Sequence, residues 1–168
     1  MRTQIVPRRS DNSIVTVSAV DWERLVLAAC RAEHIRLTKP RRAIIAWIAG
    51  QQTLFSTEAL ATAVAALPEH VGRATAYRMV EQLRETGWLS PIRTERGSYA
   101  YARTLPGHHH HAICLRCGAT LIIEGCAALE TLYALLETHG FAVQSHFLEL
   151  TGRCRRCRVA DEGRASGA

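Results

Sequence analysis

Four of the six cysteines in this 168-residue chain form two Cys-x-x-Cys pairs, the spacing of metal-binding knuckles. The pairs are Cys114 with Cys117 and Cys154 with Cys157. Two thiolates at this spacing chelate one ion, and two pairs complete the tetrahedron of sulfurs that zinc favours. We therefore expect a structural zinc on these residues. A pair of redox dithiols, or iron in the same four-sulfur site, is the alternative.

A run of four histidines leads directly into the first cysteine pair. If this segment is a strand, His108 and His110 point to one face, and His109 and His111 to the other. Each face would then offer two imidazoles to an ion, so the run could serve two metal sites. A flexible surface cluster and a cloning remnant are the alternatives.

Three later residues are candidates to complete such sites. They are His146 within a predicted strand, Glu124 at a strand end, and Glu130 near the start of a predicted helix. A hydrogen-bonded core histidine is the alternative for His146, and a solvated helix face explains Glu130 equally well. Cys30 and Cys126 are expected to be small core residues.

The excess positive charge lies in the first part of the chain. Residues 1–104 hold 15 Lys+Arg and 9 Asp+Glu, a net of +6, whereas residues 105–168 hold six of each. Such asymmetry suggests nucleic acid as a partner for the first part. No apolar run reaches the roughly 18 residues of a membrane helix, and the N-terminus lacks a secretory pattern. We expect a soluble, cytoplasmic protein with no membrane partner.

The first part predicts several helices followed by a β-hairpin. Apolar residues recur at helical spacing, and the hairpin strands are predicted over 88–92 and 98–102 around a turn at 94–97. This order suggests a winged helix-turn-helix, which places one helix in the DNA major groove. The predicted helices begin near Asp21, Thr38, Ser56 and Arg73.

The second part predicts a small α+β domain after a short linker at 105–107. Its predicted elements are strands over 108–114 and 119–124, a helix over 127–139, and a strand over 141–150. We predict four segments: a flexible arm over 1–20, a DNA-binding domain over 21–104, a metal-binding domain over 105–159, and a disordered tail over 160–168.

Three stretches together resemble one family. IRLTKPRRAII opens the second helix, RATAYRMVEQLRETGWL spans the fourth, and HHHHAICLRCGA with GFAVQSHFLELTGRCRRC carries the metal-ligand pattern. Over about residues 21–158 the chain resembles the ferric uptake regulator family of metal-sensing bacterial repressors, which includes zinc-sensing members. The resemblance implies an α+β fold, with an N-terminal winged helix-turn-helix followed by a small α/β dimerisation domain with a four-cysteine zinc site.

The resemblance also implies a homodimer that binds a double-stranded DNA operator. Tyr77 matches the recognition-helix tyrosine, and Arg78 matches the arginine beside it. Thr75 matches the start of that helix, and Arg36 matches a basic residue that reaches toward the minor groove. Phosphate contacts are expected from Arg41, Arg42, Arg73 and Arg78.

For the metal sites, the resemblance assigns His109 and His111 to a regulatory hinge site, and His108, His110 and His146 to an additional site. The chain departs from the family at two hinge-ligand positions, which hold Leu54 and Ala102. Neither side chain can bind a metal. The family's acidic residue after the first knuckle falls two places late here, at Glu124.

We therefore expect a metal-dependent repressor of metal-homeostasis genes, and not an enzyme. Its cofactors would be a structural Zn²⁺ and a second, regulatory Fe²⁺ or Zn²⁺, with Mn²⁺ also possible. A redox or peroxide sensor on the same fold is one alternative, and a constitutive DNA binder with purely structural zinc is another. A zinc hydrolase would need a substrate pocket that the sequence does not indicate.

Overall fold

The computed structural model describes residues 13–94 and 97–165. Of these, residues 17–107 form one compact unit, and residues 13–16 with 108–165 form a second. Among the described residues, no helix has the length and apolar character needed to cross a membrane. In chain order the elements are β1 (Ser13–Val15), α1 (Ala19–Ala32), α2 (Lys39–Ala49), α3 (Thr57–Ala65), α4 (Arg73–Glu85), β2 (Leu89–Arg93), β3 (Tyr99–Arg103), β4 (His109–Cys114), β5 (Thr120–Glu124), α5 (Glu130–Thr138), β6 (Glu149–Gly152) and α6 (Arg155–Ala165).

Two helices of the first unit, α1 and α3, begin at serine caps. The Ser18 hydroxyl accepts from the Asp21 backbone N–H at 3.0 Å, so α1 begins two residues before the predicted Asp21. The Ser56 hydroxyl accepts from the backbone N–H of Ala59 in the same way at the start of α3. Each bond satisfies a backbone donor that the first helical turn leaves without a partner.

The apolar faces of α1–α4 pack into one core with the start of β2. The indole N–H of Trp22 donates to the Thr104 carbonyl at 2.9 Å, and the Trp22 ring meets Trp88 edge to face. Strands β2 and β3 form an antiparallel hairpin. Phe55 and Tyr101 exchange two backbone hydrogen bonds, which tie this hairpin to the segment before α3. The arrangement is a winged helix.

The second unit is built on a four-stranded sheet in the order β1-β5-β4-β6. Strand β4, which carries the histidine run, is antiparallel to β5 and parallel to β6. It therefore has a paired strand on each side, and its side chains alternate between the two faces of the sheet.

Two predicted elements of the second unit are corrected. The strand predicted over 141–150 is only β6, because residues 141–148 are irregular and β4 pairs with β6 only over His111–Cys114. The helix predicted over 127–139 consists of a 3-10 turn, Ala127–Leu129, followed by α5.

The predicted ends of the chain are also corrected. Within the predicted flexible arm, β1 pairs with β5 and α1 already begins at Ala19; residues 1–12 lie outside the described residues. Within the predicted disordered tail, α6 continues to Ala165, and Asp161 forms ion pairs with Arg116 and Arg153. Residues 166–168 lie outside the described residues. Residues 95–96 of the predicted turn do as well, although Gly97 has the positive φ expected there, 78°.

Candidate metal centres and nucleic-acid interface

The four paired cysteines converge on one point. Their sulfur atoms all lie within 4.8 Å of one another, and the Cys117 and Cys154 sulfurs are 3.7 Å apart. The first knuckle is a tight turn in which the Gly118 N–H donates to the Cys114 carbonyl at 2.8 Å. Gly118 has a φ of 71° there, a conformation that favours glycine.

Strand pairing brings the second knuckle to the first. Gly152 pairs with Cys114, and its carbonyl accepts from the Leu115 N–H at 2.9 Å. Backbone N–H groups of Cys154 and Cys117 point at the Cys114 sulfur and lower the pKa of its thiol to about 6. The thiolate is the form that binds metal, and four convergent sulfurs are a donor set that fits zinc.

A second group lies near the opposite end of β4 and contains three histidines. The Nε2 atoms of His108 and His146 are 2.8 Å apart, and those of His146 and His110 are 3.3 Å apart. Burial, followed by the neighbouring His108 and His146 rings, lowers the pKa of His110 to about 4. At neutral pH that ring is therefore uncharged, the state in which imidazole binds metal.

Cys126 belongs to this group, so its assignment as a core residue is wrong. Its sulfur lies 3.5 Å from His110 Nε2 and 3.5 Å from His146 Nε2, and all four ligand atoms lie within 4.8 Å of one another. The sequence signal was its position just after the strand that pairs with the histidine run. The Tyr133 hydroxyl hydrogen-bonds to His146 Nδ1, which leaves His146 Nε2 facing the group.

The other two histidines occupy the opposite face of the sheet. His109 pairs with Glu124 across β4 and β5, and its Nε2 lies 3.3 Å from a Glu124 oxygen. His111 pairs with Glu149 across β4 and β6. His109 Nδ1, His111 Nε2 and one Glu149 oxygen are buried without a hydrogen-bond partner, so this face holds polar atoms that an ion or water would satisfy.

The remaining predicted ligand, Glu130, is exposed at the start of α5 and belongs to neither convergent group. At the two positions where the resemblance places further hinge ligands, Leu54 is half-buried and Ala102 is buried in β3. Neither offers a donor atom.

Helix α4 presents several of the residues predicted to contact nucleic acid. Its inner side is buried, whereas Tyr77 is 44% exposed and Arg78 is exposed. Arg73 makes a bidentate ion pair with Glu58 of α3, in which its two terminal nitrogens lie 2.7 and 2.6 Å from the two carboxylate oxygens. The Tyr77 hydroxyl donates to the same carboxylate at 2.9 Å.

A second basic pair lies at and just before the start of α2. The Arg41 guanidinium donates to the Arg36 carbonyl at 3.1 Å, and the Arg36 side chain is exposed. Of the predicted contacts on α4, Thr75 is half-buried in the first turn. These residues lie on α4 and in the segment that leads into the first turn of α2, and both belong to the first unit.

Known proteins are similar to this chain in sequence and in fold. The chain is 31% identical over 128 residues to a zinc uptake regulation protein of Mycobacterium tuberculosis, covering 76% of this chain and 98% of that protein. It is 28% identical over 103 residues to a ferric uptake regulation protein of Bordetella parapertussis, covering 61% and 74%.

The fold matches a solved zinc uptake regulator in complex with zinc and DNA, with a TM-score of 0.67 and 22% identity over 88% of this chain and 99% of that one. The profile of the ferric uptake regulator family matches residues 32–151. The convergent cysteines, the histidine-bearing strand and the winged helix all lie within or beside that span, and the chain belongs to the ferric uptake regulator family.

Proposed function

We propose that this protein is a cytoplasmic, metal-dependent transcriptional repressor that binds DNA operators as a homodimer and controls metal-homeostasis genes. The observation that carries the proposal is the pairing, in one chain, of a winged helix with an exposed recognition surface and a second unit with two convergent metal-ligand groups. Family membership supports it, since the matched relatives are named as zinc and ferric uptake regulation proteins.

The two metal groups have different proposed roles. Four cysteines would hold a structural Zn²⁺ that ties the end of β4 and the turn after it to the start of α6 and the residue before it. The histidine group would hold a regulatory divalent ion, Zn²⁺ or Fe²⁺, with Mn²⁺ as a further possibility. Such an ion supplies positive charge and fixed coordination. It controls DNA binding only if it binds the DNA-competent state more tightly than the other state.

The DNA contacts are proposed on α4 and on the segment from Arg36 into the first turn of α2. Tyr77 and Arg36 would contribute sequence readout, while the arginines and the first turn of α4 would contact phosphates. The phosphate contacts proposed are those of Arg41, Arg42, Arg73, Thr75 and Arg78.

We propose that the homodimer forms through the second unit, because this unit exposes large hydrophobic side chains. Helix α5 buries none of its residues within the chain, and Leu132, Leu135, Phe141 and Phe147 are exposed large hydrophobic side chains. Exposed large hydrophobic side chains grouped in one stretch of the chain favour a protein interface there.

The DNA-binding part is tested by fluorescence anisotropy with the DNA upstream of the protein's own gene. We expect Tyr77→Ala and Arg78→Ala each to weaken binding by about 1–3 kcal/mol, whereas Arg93→Ala on the wing serves as a charge-loss control. Wild-type affinity in both α4 variants would defeat the assignment of the recognition surface.

A purely structural zinc with constitutive DNA binding is the second candidate. It is favoured by Leu54 and Ala102, which cannot bind metal at positions where the family's hinge ligands are expected. Metal-independent operator binding by a protein that retains one zinc per chain would support that candidate.

A further inference from the structure

The histidine group contains one sulfur donor, and its placement is not that of a core cysteine. Cys126 Sγ lies 3.5 Å from two different imidazole nitrogens, those of His110 and His146. Cys30, by comparison, is 4% exposed and packs within the apolar core of the first unit. Cys126 is only half-buried and is the one non-knuckle cysteine among the described residues that faces metal-binding atoms.

The backbone directs Cys126 into the group. Strand β5 ends at Glu124, and Gly125 then adopts a φ of 88°, so the chain turns sharply before Cys126. Ile123, the last-but-one residue of β5, pairs with His110 across the sheet. The turn therefore starts beside His110, which is why a residue two positions beyond the strand reaches its ring.

The three imidazoles cannot satisfy one another by hydrogen bonds alone. His146 Nε2 approaches three atoms at once: His108 Nε2, His110 Nε2 and Cys126 Sγ. A neutral imidazole with its Nδ1 bonded to Tyr133 has one site at Nε2, either a lone pair or a proton. A cation shared by all four atoms accounts for this convergence, and the Tyr133 contact orients the ring as outer partners of metal ligands do.

We propose that Cys126 is the fourth ligand of the histidine group and the residue that makes this site select zinc over manganese. The inference rests on the proposed function only for the site's regulatory role. Three imidazoles and one thiolate form a four-coordinate nitrogen and sulfur set, which suits Zn²⁺, whereas Mn²⁺ favours oxygen donors. On binding, the Cys126 thiol releases its proton to solvent and a sulfur–metal bond forms.

Cobalt substitution tests the ligand directly, without DNA. Protein that retains one zinc per chain, checked by elemental analysis, is titrated with Co²⁺. The wild type should bind one Co²⁺ and show a near-ultraviolet thiolate-to-cobalt band with intense visible bands of tetrahedral cobalt. Cys126→Ser should lose the near-ultraviolet band and bind Co²⁺ about tenfold or more weakly, and Cys30→Ala should match the wild type.

An unchanged cobalt spectrum in Cys126→Ser, with the zinc still at one per chain, would overturn the proposal. Cys126→Asp provides a second variant that keeps four donors but replaces sulfur by oxygen. In competition titrations, the ratio of the Mn²⁺ to the Zn²⁺ dissociation constant should be about tenfold or more smaller in this variant than in the wild type. Equal preference ratios in the two proteins would refute the selectivity. Both experiments measure metal binding without DNA. A failure of operator binding would therefore not affect their outcome.

Discussion

At the scale of single residues, the histidine run divides its four rings between two environments. His108 and His110 join the group with Cys126, whereas His109 contacts Glu124 on the other face. Glu124 was predicted as a metal ligand; in the structure its oxygen lies 3.3 Å from His109 Nε2. A carboxylate in that place orients the ring and favours a proton on Nε2, so that Nδ1 would be the atom of His109 available to a metal.

His111 should make the stability of the protein sensitive to acid when no metal occupies its face of the sheet. The ring is 4% exposed, and burial, followed by the neighbouring His109 and His110, lowers its pKa to about 4. Between pH 6.5 and 4, His111 binds a proton in the unfolded chain but not in the folded chain, so the free energy of unfolding falls as pH falls. Above pH 6.5 this residue contributes no pH dependence.

The measurement is the melting temperature between pH 7.5 and about 5, after mild chelation that leaves the structural zinc in place. His111→Gln should show a shallower loss of melting temperature than the wild type. His139→Gln, which replaces an exposed histidine at the end of α5, should keep the wild-type slope. A wild-type slope in His111→Gln would contradict the buried-histidine account.

At the scale of elements, α3 and α4 meet through a carboxylate placed among the proposed DNA contacts. Glu58 binds both Arg73 and Tyr77, and all three side chains are exposed, so the ion pair itself adds little to stability. Its negative charge opposes an approaching phosphate, and Arg73 must exchange this carboxylate for the phosphate.

Glu58→Gln should therefore tighten binding to operator and to unrelated DNA alike, with an unchanged melting temperature. The measurement is anisotropy against salt concentration, since phosphate contacts determine the salt slope. Glu81→Gln is the matched control, because it removes the same charge from an ion pair that lies within α4, between Glu81 and Arg84. Weaker binding by Glu58→Gln would instead mean that Glu58 holds Arg73 and Tyr77 in the productive position.

The elements differ in how well sequence predicts them. Helices α2–α4 were close to prediction because local signals agree: the serine cap of α3, the proline in the first turn of α2, and apolar periodicity in all three. The cysteine site was predictable because each pair has a local spacing. The roles of Cys126 and Glu58 were missed, because that of Cys126 depends on the pairing of β4 with β5 and that of Glu58 on the packing of α3 against α4. The prediction of a strand over 141–150 was wrong because the length of β6 is determined by its pairing with β4, which sequence periodicity does not show.

At the scale of the whole molecule, the exposed apolar side chains of the second unit predict self-association. Leu135 on α5 is 55% exposed, and a charge placed there would have to be buried in a dimer. Light scattering should give about twice the 18.6 kDa chain mass for the wild type and a single-chain mass for Leu135→Asp. Val20→Asp, on an exposed apolar residue of the other unit, should remain dimeric. A dimeric Leu135→Asp would place the interface elsewhere.

The central claim is that metal in the second unit controls DNA binding by the first. Mildly chelated protein is titrated, by fluorescence anisotropy at fixed salt, against DNA from upstream of its own gene, without added metal and then with Zn²⁺, Fe²⁺ or Mn²⁺. The account predicts that Zn²⁺ raises affinity at least about tenfold, or ~1.4 kcal/mol of coupling, and that His108→Ala with His146→Ala abolishes the effect. Equal affinity with and without every metal, in protein that keeps its structural zinc, would contradict it.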